Sequence, residues 1–132
     1  MEKKRFPKHA RLLRPSEFDQ VFKARASASD AWLVLYGREN ELGHPRLGLA
    51  VSQRGRSSVI RNRWKRLLRE AFRLSQRDLP PFDLVCVPKV ATAPGLAQLM
   101  ASLPALARRV AQRIARSDQM EQANDSPWRP EV

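Results

Sequence analysis

The chain has 132 residues, 42% of them apolar, and its 25 lysines and arginines against 13 acids give a formal net charge of +12. That apolar content supports one domain with a real core, and the charge points to a polyanionic partner, nucleic acid in preference to an anionic membrane surface. No apolar run approaches the ~20 residues of a bilayer span, and the N-terminal MEKKRFPKHARLL lacks the apolar region of a signal peptide, so a cytoplasmic protein is expected.

The first 14 residues form a basic arm, with Lys3, Lys4, Arg5, Lys8, Arg11 and Arg14 against Glu2. Having little to bury, it is expected to order only on its partner. Pro15 suits the first position of a helix running to about Lys23, which brings Phe18, Val21 and Phe22 onto one face. On spacing alone, such aromatics are core. AWLVLYGR (31–38) and RLGLAVS (46–52) then read as two strands of a hairpin joined by ENELGHP. In the second run Leu47, Leu49 and Val51 share one face, and Gly48, Ala50 and Ser52 the other. That flat floor suits an extended nucleotide chain or partner strand, and suits a packed helix equally well.

Gln53, Arg54, Gly55 and Arg56 make a basic turn, after which Ser57 or Ser58 can cap a helix reaching about Gln76. Stepped at about 100° per residue, Ile60, Trp64, Leu67, Leu68, Ala71 and Phe72 fall on one arc. Asn62, Arg63, Lys65, Arg66, Arg69 and Arg73 fill the other, with Arg61 at the border. The lone acid, Glu70, stands four residues after Arg66, and one such pair at about 0.2–0.5 kcal/mol cannot neutralise that face. A partner must relieve the repulsion, and arginine forks fit phosphate in two places at once.

Leu79-Pro80-Pro81 ends the helix, and FDLVCVPK reads as a buried strand, making a strand–helix–strand unit with a parallel pair. Cys86, inside LVCV, is expected to be a buried, inert thiol. Leu96, Leu99, Met100, Leu103, Leu106, Ala107, Val110 and Ile114 follow helical spacing, with a kink at Pro104 or a fresh start after Ser102. Residues 117–132, rich in Asp, Glu, Gln and Pro, read as a disordered tail. For catalysis the residues offer nothing: His9 and His44 read as solvated surface histidines, and the acids are scattered. No glycine-rich phosphate loop or nucleophile motif is present. The chain is expected to break no bonds itself.

RNRWKRLLRE, preceded by RLGLAVS and a basic turn and followed by LPPFDLVCV, resembles the RNR helix of the bacterial ribonuclease P protein family. FPKHARLLRPSEFDQVF and LGHPR add to the likeness, which covers about residues 5–116. The resemblance implies an α/β two-layer sandwich, α+β in order (α-β-β-(β)-α-β-α). Its small mixed sheet would carry a left-handed βαβ crossover of the ribosomal S5 type, where physics alone favours the right hand. It implies an RNA-binding domain over 15–116, between the basic arm and the tail. Its implied function is to help a catalytic RNA remove the 5′ leader from precursor tRNA, one protein per RNA, with Mg²⁺ held by the RNA subunit and no membrane partner. Arg61, Asn62, Arg63, Lys65, Arg66 and Arg69 would contact the catalytic RNA. Phe18, Phe22 and Tyr36, with Val34 two residues before Tyr36 on the same face, would hold the leader. Gln53 stands where the family usually has Lys. The alternative is a non-catalytic RNA- or DNA-binding module such as a ribosomal protein.

Overall fold

The structure, a computed structural model, describes residues 8–124. Its elements are α1 (Pro15–Lys23), β1 (Ala26–Ser29), β2 (Leu33–Glu39), β3 (Arg46–Leu49), α2 (Ser58–Ser75), β4 (Phe82–Pro88) and α3 (Leu96–Asn124). They build a mixed α/β fold on one four-stranded sheet in the order β1-β2-β4-β3, with β2 antiparallel to β1 and β4, and β3 parallel to β4.

The hairpin expected from 31–38 and 46–52 does not form: β4 lies between its two strands, pairing Val34 with Val87 and Leu47 with Leu84. The reason is burial. The run LVCV needs neighbours on both edges and cover on both faces, which only a central slot supplies, and Leu84, Val85 and Cys86 are fully buried. The connection is held to that strand, since Asn40 Nδ2 donates to Asp83 Oδ1 at 3.0 Å and Arg46 grips the same carboxylate from Nε and Nη2, both at 2.7 Å. β1 went unread because ASAS has the period-two pattern but side chains too small to show it: Ala26 and Ala28 are buried, Ser27 and Ser29 face the other way.

Two layers of packing follow from the pleat. On one face Leu33, Leu35, Leu47, Leu84 and Cys86 meet Trp64, Leu68, Ala71 and Phe72 of α2 and Leu99, Leu103, Leu106 and Val110 of α3. Trp64 is fully buried, and its Nε1 donates to Ala91 O at 3.0 Å. Burial pushes the Cys86 thiol up to about 12, so the thiolate is absent at neutral pH. The other face carries a smaller core of Leu12, Val21 and Val85 under α1.

Three expectations need correction. Residues 8–14 are ordered without a partner, because the arm does have groups to bury: Ala10 and Leu12 are inside, and Leu12 N donates to Leu47 O at 2.9 Å along the β3 edge. Its residues 1–7 lie outside the described residues. α3 is one helix through Pro104, with buried residues on either side holding it despite the missing N–H, so of the two alternatives the fresh start after Ser102 does not occur. It extends past residue 116 to Asn124, so the first part of the segment read as a disordered tail is helical; residues 125–132 lie outside the described residues.

Candidate nucleic-acid interface

α1 covers only part of its sheet face. Val21 is its fully buried residue, and the Phe18 ring lies over Gly48, where a Cβ would come within 2.8 Å of two ring carbons. Gly48 is therefore the place where helix and floor touch, while Ala50, one strand position further in facing, stays half-exposed. The small-residue floor thus meets a packed helix at Gly48 and is left uncovered by it at Ala50. Beyond α1 the floor is open: Val34, Tyr36, Ala50 and Val87 are half-buried, and Phe22 is 36% exposed with its ring edge-on to Tyr36, centroids 4.9 Å apart. Register aligns the rows Ser29–Val34–Val87 and Ser27–Tyr36–Val85 across the strands. The fold thus brings Phe18, Phe22, Val34 and Tyr36 together on one surface. Sequence reasoning missed Val87, Ser27 and Ser29, which became neighbours only through the pairing order.

α2 begins at Ser57, whose Oγ accepts from Ile60 N at 3.3 Å. Its cationic arc is divided. Asn62, Arg63 and Arg66 face solvent, Arg61 is half-buried at the border, and Lys65 and Arg69 turn to the other flank. There, with Arg11, Leu12, Leu13, Phe18, Leu47 and Leu49, they line a groove of about 170 Å³. Glu70 pairs with Arg73 and not with Arg66: Arg73 Nε donates to it at 3.0 Å, and hydrogen bonding from that guanidinium lowers its carboxyl below the ordinary value. Arg63, Arg66 and Arg69 have no carboxylate partner among the described residues. Arg56, read as part of a basic turn, is turned inward: it donates to Ser52 O, Pro88 O and Val90 O, stapling the end of β3 to the end of β4. His9 and His44 are not isolated, as their rings pack edge to face at 5.3 Å.

Among the described residues no group of three or more His, Cys, Asp or Glu could hold a metal ion, and no helix is long and apolar enough to cross a membrane. An aromatic, small-residue floor on one sheet face and an arginine helix on the other are features suited to a nucleic-acid-binding protein. The family model for ribonuclease P matches residues 6–111. The ribonuclease P protein component of Photorhabdus laumondii is 48% identical over 86 residues, 64% of this chain and 72% of that one. The Escherichia coli component is 47% identical over 94 residues, 70% and 79% of the two chains. A solved mutant of the Staphylococcus aureus RNase P protein superposes with a TM-score of 0.67 at 26% identity, over 83% of this chain and 90% of that one. The chain belongs to the ribonuclease P protein family: it is the protein subunit of a tRNA-processing endoribonuclease, and its partner is the ribonuclease P RNA.

Proposed function

We propose that the two surfaces divide the work of the holoenzyme, one protein per RNA, in the cytoplasm. α2, through Arg61, Asn62, Arg63 and Arg66 and through Lys65 and Arg69 on its other flank, binds phosphates of the catalytic RNA. Phe18, Phe22, Val34 and Tyr36 hold the single-stranded 5′ leader of precursor tRNA. The observation that carries this reading is the half-open aromatic floor, since a sheet face that only supported α1 would have no reason to leave Phe22 and Tyr36 within reach of solvent. Rings so placed stack on any base, at about 1–3 kcal/mol each, which suits leaders of many sequences. Mg²⁺ is held by the RNA subunit, and the protein's own part is to bind and position. Family membership also supports a left-handed β3–α2–β4 crossover of the ribosomal S5 type.

Phe22→Ala tests the cleft. Assembly with the RNA subunit should stay near normal while precursor tRNA binds about 1–3 kcal/mol more weakly, and mature tRNA, which has no leader, should bind unchanged. The ratio of precursor to mature affinity then falls by about 5- to 150-fold. An equal loss for both tRNAs would return Phe22 to a purely structural role.

A further inference from the structure

α3 carries a second cationic surface that the two faces above do not use. Between Leu96 and Ser117 it has Arg108, Arg109, Arg113 and Arg116 and no acid, and no Asp or Glu stands three or four residues from any of these arginines. All four are exposed, and none has a carboxylate partner among the described residues. Arginines near a helix C-terminus can simply complement the dipole, but α3 continues to Asn124, which leaves these in its middle.

Their direction is fixed by one contact. Arg109 Nη1 donates to Ser29 O at 3.0 Å. It marks the flank of α3 that runs along β1. Arg113 and Arg116 follow Arg109 by four and seven residues on that flank. Half-buried Met100, Pro104 and Ala111 occupy the opposite one. From Arg109 to Arg116 the row spans about 10 Å of helix axis, at about 1.5 Å per residue. Exposed Lys89, whose Nζ reaches Asp30 O, and exposed Arg25 stand near the two ends of β1.

The aromatic floor has two ends, and they differ. On the β3 side the N-terminal segment closes the edge through the Arg11–Leu47 bridge. On the β1 side no further strand lies beyond the edge among the described residues, and Ser29 sits in the same row as Val34 and Val87. A strand leaving the floor over β1 meets Arg109, and then Arg113 and Arg116.

We propose that this flank of α3 binds the phosphates of leader nucleotides that lie beyond those held in the cleft, so that the leader's track runs from the aromatic floor over β1 and along α3. The proposal rests on the cleft reading. It makes the protein a gauge of leader length as well as of leader presence.

The test uses reconstituted holoenzyme and precursor tRNAs whose leaders are lengthened one nucleotide at a time, comparing wild type, the double variant Arg113→Ala/Arg116→Ala and Phe22→Ala. Arg109 is left intact because it also bonds Ser29. In wild type, affinity should rise beyond the length that fills the cleft. The double variant should lose that rise, and the slope of log affinity against log salt should drop by about 1.4 for long leaders only, twice the single-strand value of about 0.7 per phosphate. Short-leader precursor, mature tRNA and assembly should be unchanged. No change at any length would overturn the proposal, and an equal loss for mature tRNA or for assembly would move these arginines to the catalytic RNA. Phe22→Ala reports separately on the cleft: if it spares leaders long enough to fill the cleft, the cleft reading fails, whatever the arginine variant does.

Discussion

Arg46 joins three parts of the chain through one guanidinium. It holds Asp83 of β4 from two nitrogens and donates to Glu17 Oε2 of α1 at 2.9 Å. Glu17 is the more informative partner, because its other oxygen accepts from Leu13 N and Arg14 N and so closes the start of α1. The Arg14 amide, with help from Leu13 and Arg46, holds the Glu17 carboxyl below its ordinary value of 4.5. A carboxyl whose folded value is depressed stabilises the fold fully above the ordinary value, and that contribution is lost as pH falls through the folded one. Thermal melts from about pH 7 down to about pH 3 should therefore show stability falling on the acid side. Glu17→Gln should lower the melting temperature at neutral pH and flatten part of the acid slope. A variant that melted parallel to wild type at every pH would show that Glu17 contributes no proton-linked stability.

α2 is the element whose reading from sequence went furthest. Of the two serines that could cap it, Ser57 does so, while its buried Trp64, Leu68, Ala71 and Phe72 and its arginine side follow from the 3.6-residue period. What the period could not show is which neighbour each flank meets. Lys65 and Arg69 look equivalent to Arg66 on a helical wheel, yet they share a groove with Phe18 and Leu49, because the ordered N-terminal segment crosses beside β3. Likewise Glu70 found Arg73 one turn later instead of Arg66 one turn earlier. Arg66→Ala should lower the salt slope of RNA-subunit binding by about 0.7–0.9 with folding intact. Arg73→Ala, whose guanidinium is already engaged by Glu70, should change it less. Equal slopes for both variants would mean that the Glu70 pair does not decide which arginine reaches RNA.

At the scale of the molecule, the helices were legible, since each is written in local spacing, while the sheet was not; for Phe18 and Phe22 spacing alone pointed to core, and only the family resemblance grouped them with Tyr36. Whether β2 and β3 are neighbours depends on a strand more than thirty residues downstream, and the apolar pattern of each is the same with or without it. That late arrival has a kinetic side. β2 and β3 emerge during synthesis with the slot between them vacant, and α2, complete at Ser75, precedes the strand that gives it a floor. Pairings so distant in sequence are slow to close, and domains commit as units once their last essential segment is available. A chain ending at Pro81 should accordingly show no cooperative thermal transition, and a clear two-state melt of that fragment would disprove this. For the nascent protein the consequence is one of timing: the arginine helix and the aromatic floor take shape together, only after residues 82–88 have left the ribosome, so a half-made subunit presents neither surface.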